Sequence, residues 1–112
     1  MLFGMELRPP GYFALAALID GPLHGYAIMQ RARELSDGQV RLSTGTLYSV
    51  IDRALAEGLV AVGEPYVVAG RQRRDYTITP AGRLVMQEES ERLARAASVV
   101  KARLSLSGAL AT

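Results

Sequence analysis

Apolar residues along this chain recur in blocks with helical spacing and in two short runs that read as strands. Tyr12 to Ile19 is almost wholly apolar. Pro9 and Pro10, which suit a first helical turn, precede it, and Asp20-Gly21-Pro22 ends it. The pattern predicts a first helix over about residues 10–19, buried on most sides. From His24-Gly25-Tyr26 to Leu35, apolar Tyr26, Ala27, Ile28, Ala32 and Leu35 alternate with Gln30, Arg31, Arg33 and Glu34 at roughly the helical period, predicting a second helix. Ser36-Asp37-Gly38 reads as a turn, and Val40-Arg41-Leu42 as a short extended piece.

Ser43 opens a third helix as N-cap, its hydroxyl placed to accept a free backbone N–H. Leu47, Val50, Ile51, Ala54 and Leu55 then fall on one face, and Gly58 supplies a left-handed stop. Leu59 to Val62 and Tyr76 to Thr79 read as strands. The intervening residues 65–74, with Pro65, Gly70 and an arginine cluster, form a hairpin tip. Thr79 caps a last helix with Pro80 in its first position, expected to reach about Leu104 before residues 105–112 fray.

Three helices, a two-stranded hairpin and a long helix define a mainly α, α+β fold: a winged helix-turn-helix with one added C-terminal helix. The expected division is a winged region over 1–79, the last helix over 80–105 and a flexible tail over 106–112. Met1 to Arg8 reads as a short arm.

At 112 residues the chain suits one domain, and 49% apolar content supports a modest core. Cysteine is absent, which excludes disulfides and thiolate metal sites and fits a cytoplasmic setting. Charges interrupt every apolar run too early for a membrane span, and the N-terminus lacks the pattern of a signal peptide. Net charge is only +2, but twelve of thirteen basic residues are arginine, Lys101 being the exception. That bias is compatible with nucleic-acid binding and equally with a genome rich in G+C.

Three constellations carry the chemistry. The outward face of the third helix presents Thr44, Gly45, Tyr48, Ser49, Asp52 and Arg53. Small residues at its start let the backbone approach a major groove, and the hydroxyls can meet phosphates or base edges. Arg71, Arg73 and Arg74 follow within four residues of one another, with Asp75 offsetting one charge, as a basic loop for backbone or minor groove. On the last helix, Leu84, Met86, Leu93, Ala96, Ala97, Val100 and Leu104 recur at threes and fours. A helix of about 25 residues spans roughly 37 Å, more than the small core can use, so a partner's equivalent helix is expected against it. Catalysis is not expected. His24 stands alone and reads as a packing or capping residue near the second helix. Glu88, Glu89 and Glu91 diverge around a helix, and no nucleophile–base pair, phosphate loop or metal cluster occurs, so neither cofactor nor metal is expected.

These motifs in this order resemble the PadR family of bacterial transcriptional regulators. They are Gly21-Pro22-Leu23-His24-Gly25-Tyr26-Ala27-Ile28, Leu42-Ser43-Thr44-Gly45-Thr46-Leu47-Tyr48, Glu57-Gly58-Leu59-Val60, Gly70-Arg71-Gln72-Arg73-Arg74-Asp75-Tyr76 and Thr79-Pro80-Ala81-Gly82. The resemblance covers about residues 12–104 and implies a homodimeric winged-helix repressor of a palindromic double-stranded DNA operator. By that resemblance, Tyr26, Thr44, Thr46, Tyr48, Ser49, Arg71, Arg73 and Arg74 belong to the DNA surface. The single last helix is similar to that of a smaller subfamily, some members of which bind planar drugs between subunits. Two departures stand out. The family commonly has proline where Thr44 stands, and the tryptophan that stacks on drugs is replaced here, at the nearest equivalent position, by Leu93. Tyr12 is the alternative aromatic candidate for a small aromatic effector. A winged-helix module that binds protein instead of DNA, and a small-molecule-responsive regulator with a pocket at the dimer interface, remain open alternatives.

Overall fold

The computed structural model describes residues 7–111. The elements run α1 (Pro9–Ala17), β1 (Leu23–His24), α2 (Gly25–Leu35), α3 (Thr44–Ala56), β2 (Val60–Val62), β3 (Tyr66–Val68), β4 (Arg71–Arg73), β5 (Asp75–Ile78) and α4 (Pro80–Ala111). Most of the expected arm, residues 1–6, lies outside the described residues. Leu7 does not behave as an arm, because it is buried in the core.

Proline at the first two positions starts α1, and the Tyr12 amide reaches the Arg8 carbonyl at 2.9 Å. Ala14, Leu15, Ala17 and Leu18 are buried, so this apolar helix is the hub on which α2, α3 and α4 pack. α1 ends two residues before the expected Ile19, in a tight turn leading to Gly21. Between α2 and α3, buried Ser36 donates to the Arg33 carbonyl and accepts from the Val40 amide at 2.9 Å. That serine fixes the turn of the helix-turn-helix. Val40 and Leu42 then run on without strand pairing, anchored by burial and by the Val40–Ser36 hydrogen bond.

Ser43 caps α3 as expected, its hydroxyl accepting from the Thr46 amide at 3.1 Å. Leu47, Ile51 and Ala54 face inward, and Gly58 ends the turn with φ 73°. Replacing Ser43 with alanine leaves a helix-start donor without its acceptor and is expected to cost about 1 kcal/mol, measured as a lower urea midpoint at unchanged m-value. A midpoint that does not move would show that the cap contributes nothing.

The sheet is richer than the expected hairpin. β5 is central, pairing antiparallel with β2 (Val60↔Ile78) and with β1 (Leu23↔Tyr76). Beyond it, β3 and β4 form a separate two-stranded ribbon in the register Tyr66↔Arg73 and Val68↔Arg71. Its turn places Ala69 and Gly70 at φ 50° and 77°, the left-handed backbone that a two-residue hairpin turn requires. The wing is therefore a ladder with an outer ribbon, and Arg71 and Arg73 lie on its strand β4, not in a loop.

Thr79 caps α4: its hydroxyl accepts from the Gly82 amide at 3.0 Å and donates to the Gly58 carbonyl at 2.7 Å. Val85 and Met86 close the core. Met86, expected on the partner-facing stripe, is thus already covered by its own chain. α4 also does not stop near Leu104: it continues to Ala111, so residues 106–111 are helical where a flexible tail was expected. Its 32 residues span roughly 48 Å, which accounts for a molecule 64 Å long and 29 × 23 Å across.

Candidate nucleic-acid interface

Two grooves flank the exposed face of α3. The larger, about 570 Å³, lies between α2, α3 and the wing and is lined by His24, Gly25, Tyr26, Tyr48, Tyr76 and the run Arg71 to Arg74. The other, about 330 Å³, lies on the opposite flank and is lined by Arg8, Pro10, Gly11, Thr46, Ser49, Val50 and Arg53. The expected residues thus divide around one helix. Tyr26, Tyr48, Arg71, Arg73 and Arg74 come together on the wing side, and Thr46, Ser49 and Arg53 on the other. Thr44 is exposed at the start of α3 and lines neither groove.

Local geometry fixes the two tyrosines. Tyr26 follows the first residue of α2 and is 64% exposed, so its ring projects outward at a helix start. Tyr48 crosses toward α2, where a Cβ built on Gly25 would stand 2.8 Å from its hydroxyl. Only glycine at position 25 leaves the phenol its place. Gly45 faces open space at the front of α3, so nothing blocks close approach of the helix backbone. The Thr46 hydroxyl, expected to face a ligand, accepts from Ser43 at 3.0 Å while remaining exposed.

The wing supplies the charge. Among the described residues the ion pairs are Arg31–Asp20, Arg31–Glu34 and Arg92–Glu89, so Arg71, Arg73 and Arg74 have no carboxylate partner. Three neighbouring guanidiniums outside any ion pair make a positive strip beside polar Tyr48. Tyr76 stands below them, and burial, with Tyr48 and Asp52 adding to it, raises its phenol above the usual range against the opposing pull of Arg74. It remains a neutral donor at physiological pH.

Sequence reasoning missed His24, Gly25, Gln72, Tyr76 and Arg8 as groove residues. His24 makes no side-chain cap; its backbone pairs with Asp75, which brings the start of α2 to the wing. A signal existed for Tyr76, which the arginine motif itself contains two residues after Arg74. None existed for Arg8, which reaches α3 only through the fold.

On α4, Leu84, Leu93, Ala97, Val100 and Leu104 are exposed, as are Val99 and Leu106. The effector candidates are not brought together by a shared element. The Tyr12 ring is half-buried and packs edge-on to Phe13 at 5.4 Å, whereas Leu93 lies on the exposed stretch of α4. Among the described residues no cluster of three or more acids or histidines is placed to hold a metal, and no helix is long and apolar enough to cross a membrane.

A helix-turn-helix whose second helix stands free beside a basic two-stranded wing defines a winged-helix transcription-factor class. The profile of the transcriptional regulator PadR-like family matches residues 14–88, and the chain belongs to that family. It is 45% identical over 74 residues to a transcriptional regulator of Mycobacterium tuberculosis, across 66% of this chain and 65% of that one. It is also 40% identical over 91 residues, 81% of this chain, to a 37.1 kDa protein in a Streptomyces fradiae transposon. The chain spans only a quarter of the length of that relative and under two thirds of the mycobacterial one. Among solved structures, a transcriptional regulator from Clostridium thermocellum is similar at TM-score 0.69 and 26% identity, covering 81% of this chain and 88% of its own. Bacillus subtilis PadR, solved in complex with operator DNA, shares the fold at TM-score 0.63 and 21% identity, covering 72% and 47%.

Proposed function

We propose that this regulator is a cytoplasmic, non-enzymatic repressor that binds a palindromic operator as a homodimer. In this reading α3 enters the major groove, and the wing lies on the adjoining backbone or minor groove. One observation carries the reading: three wing arginines without carboxylate partners stand on the same groove as exposed Tyr48 and Tyr26. Phosphates would meet Arg71, Arg73 and Arg74. Base edges would meet Thr44, Tyr48 and Ser49, while Thr46 and Arg53 would follow the backbone on the far flank. The B. subtilis relative solved with operator DNA supports the same use of the fold.

The homodimer rests on the α4 stripe Leu93, Ala97, Val100 and Leu104, exposed in the single chain. Water-facing leucine and valine at helical spacing is what a paired helix requires. A two-fold pair would present two copies of α3 to half-sites about one helical turn apart.

Selection of bound sequences from random DNA tests the reading in one step. The expected result is an inverted repeat with that spacing. Failure to enrich any sequence would remove DNA recognition and leave protein interaction as the function. Tyr48→Ala sharpens the test. Affinity for the selected site should fall by about 1–3 kcal/mol, roughly five- to 150-fold, while random DNA is affected less. Equal losses on both would place Tyr48 on the backbone instead of the bases.

A further inference from the structure

The outer ribbon of the wing has no core of its own. β3 and β4 pair only with each other, and of their six residues only Arg73 is even half-buried. A two-stranded ribbon of this length is marginal in water. Two hydrogen bonds tie this end of the wing to β5. The Gly63 amide donates to the Asp75 carbonyl at 2.9 Å, and the Tyr66 hydroxyl donates to Asp75 Oδ1 at 2.5 Å.

The second bond stands at a telling place. Tyr66 lies directly across the ladder from Arg73, and Asp75 directly follows Arg74. Asp75 is therefore the carboxylate nearest in sequence to the arginine row, and a phenol occupies it. Neither Arg73 nor Arg74 pairs with it. We propose that Tyr66 is a positioning residue for the wing: its hydroxyl holds the Asp75 carboxylate away from Arg73 and Arg74, leaving both guanidiniums for nucleic-acid phosphates. The inference rests on the DNA-binding reading above.

The chemistry favours this division of labour. A phenol–carboxylate bond is charge-assisted and short, and it engages one oxygen of the acid without using a cation. Without the phenol, the acid has two guanidiniums within a residue or two. Such a surface pair stabilises the fold little, yet each one formed has to be broken before its arginine meets a phosphate. The bond also marks the phenol. The hydrogen bond to Asp75, then burial and the Asp75 charge, raise Tyr66 above the ordinary tyrosine range, opposed by Arg73.

The test uses the full chain, its selected DNA site and three variants. Tyr66→Phe should weaken binding roughly fivefold at about 0.1 M salt and make the salt dependence shallower, because a weak surface ion pair in each subunit of a dimer then competes with a phosphate. Asp75→Asn should bind at least as tightly as the unmodified chain. Adding Asp75→Asn to Tyr66→Phe should restore both affinity and slope, which loss of wing structure alone would not allow. Unchanged binding by Tyr66→Phe overturns the proposal, and so does a loss that persists in the double variant. A DNA-independent arm is NMR titration of the tyrosines. The Tyr66 phenol should titrate lower in Asp75→Asn, and an unmoved titration would show that the bond does not form. If the unmodified chain binds no DNA, the DNA reading fails while this titration still reports the bond.

Discussion

Arg73→Ala combined with Arg74→Ala is expected to lower affinity for the selected site on the order of a thousandfold at about 0.1 M salt. The magnitude follows from counting. Two arginines in each of two subunits make four phosphate contacts, and each contributes about 0.9 to the slope of log affinity against log salt. The slope should therefore flatten by about 3.6 units, and random DNA should lose affinity as much as the operator, since phosphates carry no sequence. Neither residue belongs to the core, and neither forms an ion pair among the described residues. Thermal unfolding should accordingly stay where it is. Titrations at several salt concentrations check the expectation, and a slope that does not change would place the wing off the DNA.

Gly82→Ala is expected to destabilise the fold strongly. A Cβ at this position would stand 2.2 Å from the Leu59 carbonyl oxygen and 2.8 Å from Ile78 Cγ1. The nearer obstacle is backbone inside the wing's base, so no rotamer change relieves it. α4 would have to lift from the sheet, breaking the Thr79 bonds to Gly82 and Gly58. Overpacking of this kind costs about 3 kcal/mol or more, a large share of the stability of a chain this size. The Tm should fall by about 10 °C or more. Because β5 leads directly into α4, DNA affinity should fall with it. An alanine variant that melts with the unmodified chain would mean that the helix and sheet are not in contact there.

Where the signals were local, the sequence was legible. Ser43 and Thr79 cap their helices because a hydroxyl one residue ahead of a helical run has one natural acceptor role. The inward face of α3 followed from spacing alone. Distant pairing was not legible. β1 is two residues long and exists because β5 lies beside it. The outer ribbon turns at Ala69, a residue type that gives no hint of a left-handed backbone. On α4, periodicity identified an apolar stripe but could not say that the core would take Met86 and leave Leu84 outside. The division of the DNA candidates between two grooves likewise depends on where the wing and residue 8 arrive in space.

From Ser90 to Gly108 every residue of α4 is exposed. Helices in proteins draw most of their stability from packing of an apolar face, so in the proposed homodimer the distal turns are held by the other copy. Association and order then become one equilibrium, and apparent stability rises with protein concentration. Below a threshold of expression the two recognition helices would lose their fixed separation, and operator occupancy would fall more steeply than the number of molecules. In that homodimer the length of α4 would set a dose at which the regulator begins to act.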